Sequence, residues 1–188
     1  NNSLFKELIT DTDIKTYGLN IKNLYNILKE QKKQDVSVSI ENNNLILEFS
    51  NGFKSELNLI EIDAEKKEVP IMEFNTEVKL NSKRFKEIIK NINNVSDSLI
   101  IEKTDIGVIF SGIGSLNKSE IKLNKTEVFM NGINSKSKYS LEYLNNFIKD
   151  LISEEVVLKF NTDYPLLTEY LTDGFKISYL LAPRVETD

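Results

Sequence analysis

Three lysines, Lys29, Lys90 and Lys149, recur along the chain at separations of 61 and 59 residues. Each closes an apolar run of the same shape: "LNIKNLYNILK" (19–29), "LNSKRFKEIIK" (80–90) and "YSLEYLNNFIK" (139–149). An ammonium is a compact point charge, and a row of them suits the phosphates of a nucleic-acid backbone. Little other chemistry is available. The 188 residues contain neither histidine nor cysteine, which excludes disulfides, thiolate nucleophiles, imidazole bases and nearly every zinc site. Catalysis would have to rest on Asp, Glu, Lys, Ser or Tyr.

The phase of these lysines decides which way they face. With Leu24, Phe85 or Leu144 set at zero, the next matched apolar positions (Ile27, Ile88, Phe147, then Leu28, Ile89, Ile148) fall at about −60° and +40° of a helical wheel. That is a core-facing stripe. The recurrent lysine falls at about 140°, on the opposite face. Lys22 and Lys33 share that face in the first run, as do Lys83 and, less centrally, Lys86 in the second; Glu142 takes the equivalent place in the third. Residues 21–34 and 82–95 each carry a net +3, which leaves −11 for the rest of a chain whose net charge is −5. Solvent faces of helices are commonly lysine-rich, but a shared phase over three runs also predicts one positive strip. Such a strip binds phosphates without reading sequence. No aromatic residues are interleaved with it, which favours duplex over stacked single strands.

The elements that must position these lysines repeat as well. Extended stretches lead in ("IKTYGL", "NTEVKL", "SKYSL"), and apolar strand-like runs follow ("VSVSI", "SLII", "VVLKF"). Asn51-Gly52 and Asp173-Gly174 predict tight two-residue hairpins in the first and third units. Each unit thus reads strand, helix, then antiparallel strands, with the helices side by side on one face of a continuous antiparallel surface. "DAEKKEVPIMEF" (63–74), charged and containing Pro70, reads as a connector. The expected organisation is 1–62, a connector at 63–74, and 75–188, with two units in the second domain and one in the first. A leading unit is expected to be missing, and the absence of an initial Met suggests a piece of a longer chain. Composition, at 40% hydrophobic and 28% charged, is that of a globular protein. Neither a secretory leader nor an apolar run of roughly 18 residues occurs, so an intracellular protein with no membrane partner is expected.

Other motifs weigh less. "GIGSLNKS" (112–119) misses the phosphate-loop pattern by one residue, Asn117, and "EIKLNKTEVFM" after it reads as strand where that loop needs a helix. "DTD" (11–13) and "SEE" (153–155) could ligate Mg²⁺ but read as solvated turn acids. "FKISYLL" alternates as a half-buried strand.

Taken together, "IDAEKKEVPIMEF", "DIGVIFSGIGSLNKSEIKL", "SKYSLEYLNNFIK", "DYPLLTEY" and the terminal "YLLAPRVE" resemble the proliferating cell nuclear antigen family of DNA sliding clamps over essentially the whole chain, with an archaeal flavour in "LAPRVE". The resemblance implies an α+β clamp fold of strand–helix–strand repeats, with antiparallel sheets outside and helices lining a trimeric ring. The first of four repeats, about sixty residues, would be absent. It implies a non-enzymatic processivity factor with no cofactor and no metal, encircling duplex DNA as a homo- or heterotrimer. DNA polymerase, clamp loader, flap endonuclease and ligase would dock through short peptides. Cytoplasmic location follows for an archaeal protein and nuclear for a eukaryotic one. Family positions facing DNA map onto Lys29, Lys90 and Lys149; two further basic positions are lost at Asn26 and Glu87. The partner groove maps onto Val69, Pro70, Pro165, Leu180, Leu181, Ala182, Pro183 and Arg184, with Lys67 where the family often has an apolar residue. Subunit contact maps onto edge strands around 53–62 and 118–126, with Leu57, Leu59, Lys118, Ile121 and Leu123. Two other readings remain: a clamp-fold scaffold that closes no ring, and a nucleotide-dependent enzyme using 112–119.

Overall fold

A computed structural model describes residues 6–9, 16–61, 70–149, 153–172 and 174–184. Its elements run α1 (Ile21–Glu30), β1 (Val36–Glu41), β2 (Asn44–Phe49), β3 (Lys54–Asn58), β4 (Thr76–Asn81), α2 (Ser82–Asn93), β5 (Ser98–Lys103), β6 (Gly107–Ile113), β7 (Lys118–Asn124), β8 (Phe129–Gly132), β9 (Ser135–Ser140), α3 (Leu141–Phe147), β10 (Glu155–Phe160), β11 (Leu166–Leu171) and β12 (Lys176–Leu181). The chain divides into two compact units, one spanning Glu7–Pro70 and the other beginning at Ile71.

The helices form where the 3.6-residue periodicity predicts them, and two start identically. The Asn20 side chain accepts hydrogen bonds from the amides of Lys22 and Asn23 at 3.1 and 3.2 Å. Asn81 does the same for Lys83 and Arg84 at 3.0 and 3.2 Å. An Asn in this place satisfies two of the donors that a helix start leaves orphaned. The third helix opens on Ser140, whose hydroxyl makes no capping bond; Glu142 in its first turn favours the positive end of the helix dipole instead.

In the unit beginning at Ile71, two antiparallel sheets replace the single continuous surface expected. One has the order β12-β11-β10-β4-β8 and the other β7-β6-β5-β9. The helix α2 packs against strands of both sheets and against α3. Phe85, Ile88, Ile89 and Ile92 are all fully buried along its inner stripe, with Leu141, Leu144 and Ile148 of the α3 segment in the same core. Each such side chain contributes roughly 1.5–3 kcal/mol of transfer free energy. Gly112 lets α2 approach β6, since a Cβ there would lie 2.4 Å from the Ile92 side chain. Residues 112–119 form the end of β6, a four-residue loop and the start of β7. A strand, not a helix, therefore follows "GIGSLNKS", and the phosphate-loop geometry is absent there.

A ladder of charge crosses the outer face of the five-stranded sheet. Lys176 on β12 pairs with Glu169 on β11, Glu169 with Lys159 on β10 at 2.9 Å, and Lys159 with Glu77 on β4 at 3.8 Å. Lys79 pairs with Glu77 at 3.2 Å and lies 5.0 Å from the Phe129 ring on β8. Glu169 is the most buried member. Burial raises its pKa, but hydrogen bonds from Lys176 and Lys159 outweigh that and hold the carboxyl below its ordinary value. A depressed carboxylate stabilises the fold above the unfolded-state pKa, and that contribution disappears as pH falls through the folded value. Glu169→Gln is therefore expected to cost about 1–2 kcal/mol at neutral pH, less than a wholly buried pair because both lysines are partly exposed. The difference from wild type should vanish progressively below about pH 5. Urea unfolding of both proteins at pH 7 and pH 3 checks it; a gap that persists unchanged at pH 3 contradicts the assignment.

The unit Glu7–Pro70 holds α1 and the sheet β1-β2-β3. Its core contains Ile46, Leu47, Phe49 and Leu59. The α1 stripe is only partly covered: Leu24 and Ile27 are half-buried and Leu28 is exposed, where the matching Ile89 of α2 is fully buried. Two turn expectations change. Asn51-Gly52 does not make a two-residue hairpin; Phe49 N–H bonds Phe53 O at 2.9 Å around three intervening residues, with Gly52 at φ 85°. The two-residue hairpin lies at Asn42 and Asn43, with φ 48° and 63°, between partners Glu41 and Asn44, the backbone of a type I′ turn. Of the lead-in "IKTYGL", Gly18 forms a single bridge to Ile60. Asp173, the "DTD" at 11–13 and Lys67 lie outside the described residues. Among the described residues no group of three or more Asp and Glu is placed to hold a metal ion, and no helix is long and apolar enough to cross a membrane.

Candidate nucleic-acid and partner interfaces

The structure separates the lysines into two populations. Most of those on strands are neutralised in place: Lys54 by Glu48 at 3.0 Å, Lys118 and Lys122 by Glu120 at 3.0 and 2.9 Å, and Lys136 by Glu102 at 3.4 Å; buried Lys103 on β5 instead donates to Asn134 Oδ1 at 3.3 Å. Two lysine hydrogen bonds hold the Glu120 carboxyl below the usual range. Lys22 and Lys29 on α1, and Lys83 and Lys90 on α2, are exposed. Among the described residues none of the four pairs with a carboxylate, nor does exposed Lys149 just beyond α3. Lys29 and Lys90 sit in the last turns of their helices, where a cation also favours the negative end of the dipole. Lys33 lies past the end of α1, in a turn at φ 68°, so it shares the helix's charge but not its face.

Within the unit beginning at Ile71, α2 and α3 run antiparallel side by side. Lys86 Nζ donates to the Lys149 carbonyl at 3.1 Å, and Asn145 Nδ2 to Asn93 Oδ1 at 3.3 Å. This pairing puts Lys90 and Lys149 on one two-helix layer. Lys86 is the half-buried exception among the candidate lysines. Glu87, at the position where a basic residue is lost, pairs with Arg84 at 3.2 Å.

The residues mapped to a partner groove divide by environment. Leu180 and Ala182 are exposed, Pro165 is half-buried, and Pro70, described with the other unit, is exposed. Val69 lies outside the described residues. Leu181 is buried in the core, so its side chain anchors β12 and does not line a surface. Pro183 and Arg184 are half-buried. Arg184 straps the chain after β12 across the four-stranded sheet: its guanidinium reaches Ser98 Oγ at 2.7 Å and Asp97 at 2.8 Å, and its amide bonds Lys138 O at 2.7 Å. The Arg184 hydrogen bond keeps the Asp97 carboxyl below its ordinary pKa. Two further supports escaped sequence reasoning. Phe147 of α3 stacks on Tyr179 of β12 with centroids 4.3 Å apart. Asn161 clamps the chain entering β4, accepting from Asn75 N at 2.7 Å and donating to Glu73 O at 3.0 Å. A side-chain amide after an apolar strand carries no sequence signal of such a role.

The mapped contact strands are both sheet edges. Among the described residues β3 pairs only with β2 and β7 only with β6, which leaves one side of each backbone free to pair over Lys54–Asn58 and Lys118–Asn124; just past β3, Ile60 is bridged by Gly18. Lys118 is exposed on β7 and Ile121 half-buried, as is Leu57 on β3. Leu123 and Leu59 turn into the cores.

Two antiparallel sheets back a helix pair whose exposed lysines lie on α2 and just past the end of α3, an arrangement shared with sliding clamps. Residues 68–184 match the family model described as proliferating cell nuclear antigen, C-terminal domain. The DNA polymerase sliding clamp of Nitrosopumilus maritimus is 32% identical, over 99% of this chain and 78% of that protein. That of Thermococcus gammatolerans is 32% identical over 91% and 73%. A clamp from A. fulgidus, solved with the C-terminal region of FEN-1 bound, superposes with a TM-score of 0.87 at 25% identity, covering 97% of this chain and 77% of that one. The clamp of Thermococcus kodakaraensis gives 0.84 at 21% identity, covering 93% and 76%. The chain belongs to the proliferating cell nuclear antigen family, as an archaeal-type DNA polymerase sliding clamp.

Proposed function

We propose that the protein closes a trimeric ring around duplex DNA, with α1, α2 and α3 turned inward, and slides on it while tethering replication and repair enzymes. The observation that carries this reading is the contrast between lysine populations. Among the described residues the ammonium groups of Lys29 and Lys90 on helices, and of Lys149 just past α3, meet no carboxylate, while those of Lys54, Lys118, Lys122 and Lys136 are spent on neighbouring carboxylates. Uncompensated charge at one phase of a repeat is what a polyanion of any sequence can neutralise. The protein needs no catalytic group for this, since a closed ring cannot leave a duplex sideways.

In this reading residues 1–62 are the C-terminal half of one clamp domain, 63–74 the connector and 75–188 the second domain. The free edges of β3 and β7 differ in sequence, so they suit a head-to-tail contact between subunits, the kind that closes rings by rotation. Identical subunits or sister clamps would serve equally. Polymerase, clamp loader, flap endonuclease and ligase would dock short peptides near Val69, Pro70, Pro165, Leu180 and Ala182, with β12 held in place by Leu181 and the Pro183–Arg184 strap. FEN-1 bound to a clamp of similar structure supports that mode. Tethering raises an enzyme's effective concentration at its template. In an archaeal cell the protein would work in the cytoplasm. The test loads the protein onto circular duplex, raises the salt, and compares retention before and after linearisation. Retention on circles with loss from linear DNA is expected; equal loss from both refutes encirclement.

A further inference from the structure

We infer that Lys86 is a positioning residue for this surface, an inference that rests on the clamp reading above: its ammonium holds the end of α3, and through it Lys149, and does not itself meet a phosphate. Three observations converge. The first is the contact, Lys86 Nζ to the Lys149 carbonyl at 3.1 Å, made by a half-buried lysine across 63 residues of sequence.

The second is what α3 lacks. The helices α1 and α2 each carry a cation in the last turn, Lys29 and Lys90, and each has a side-chain cap at its start. The third helix has seven residues, no basic residue in its last turn and no side-chain bond at its N-cap. A helix this short is marginal without tertiary support. Its C-terminal carbonyls are orphaned and carry the negative end of the dipole. Lys86 brings a cation from the neighbouring helix to the Lys149 carbonyl, two residues past Phe147 and close to that negative end, where the last turn of α3 holds no basic residue of its own. The third is the second clasp, Asn145 to Asn93 at 3.3 Å, further along the same helix pair. Two polar contacts at separate points set the register of α3 on α2, which core packing alone constrains less.

The bond is to the backbone of residue 149, so Lys149→Ala leaves it intact and a double-mutant cycle becomes interpretable. Binding of a mixed-sequence duplex would be titrated against salt for wild type, K86M, K149A and the double variant. Removing one phosphate contact lowers the slope of log K on log[salt] by about 1. K149A should do so, K86M should do so by displacing Lys149, and the double variant should fall no further than either single one. K86R should restore the wild-type slope. A double variant that loses about 2 means Lys86 touches phosphate independently, and the inference fails. K86M with an unaltered slope also overturns it. A second arm needs no DNA. Amide hydrogen exchange from Leu144 to Lys149 should quicken in K86M and not in K149A; unchanged exchange in K86M overturns the inference. Should wild type fail to bind duplex at all, the clamp reading falls, while the exchange result still decides the role of Lys86.

Discussion

Replacing Phe85 with alanine is expected to lower the unfolding free energy of the unit beginning at Ile71 by about 3–5 kcal/mol, and its Tm by roughly 10–20 °C. Phe85 is fully buried on α2, whose inner stripe contacts strands of both sheets. Its ring meets that of Phe110 on β6 at 6.2 Å, tilted by 58°. Truncation removes the transfer free energy of the ring and leaves a cavity that two sheets and a helix, all tied by hydrogen-bonded ladders, cannot collapse to fill. The comparison that gives the number meaning is Leu24→Ala, at the matching position of α1. Leu24 is half-buried, so its loss should cost about 1 kcal/mol, as for a partly exposed site. Urea unfolding with the two units followed separately checks both. Equal costs would mean that the repeat in sequence does not correspond to the packing described for each unit.

That comparison marks where sequence was sufficient. Helix positions were legible because three matched apolar side chains per run must share one face, and nothing but a helix puts Phe85, Ile88 and Ile89 there. The exposed lysines were legible for the same geometric reason, since 140° from a core stripe is solvent. Hairpins were less so. Asn51-Gly52 has the composition of a two-residue turn, but Phe49 and Phe53 pair around a third residue, and their rings meet at 5.8 Å. Asn42-Asn43 contains no glycine and still takes the two positive φ angles, because asparagine tolerates that region better than other side chains. Division of the second unit into two sheets was not legible at all: strand propensity says that a segment is extended, not which neighbour it pairs with. The groove residues show a related limit. Alternation along β12 places Leu181 inward and Leu180 outward, so adjacent residues of one matched motif serve the core and the surface respectively. Lys86 lies about 40° off the recurrent phase on the helical wheel, and whether such a side chain meets solvent or a carbonyl depends on α3, which is distant in sequence.

Removing the recurrent charges together should have the largest effect on binding. The triple variant Lys29→Ala, Lys90→Ala, Lys149→Ala is expected to bind mixed-sequence duplex with a salt slope lower by about 3, each contact contributing roughly 0.9. At about 0.1 M salt that slope corresponds to a loss of roughly 500-fold in affinity, independent of DNA sequence. Stability should change little, because all three side chains are exposed and exposed substitutions usually stay within about 0.5 kcal/mol. Lys136→Ala is the matched control, since its charge is already met by Glu102; its slope should equal that of wild type. Fluorescence anisotropy between about 50 and 200 mM salt measures both. A triple variant with an undiminished slope would show that phosphates are met elsewhere. A control that loses as much as one helical lysine would show that pairing on a strand does not withdraw a lysine from the polyanion. The contrast between compensated and uncompensated ammonium groups would then carry no information about where DNA lies.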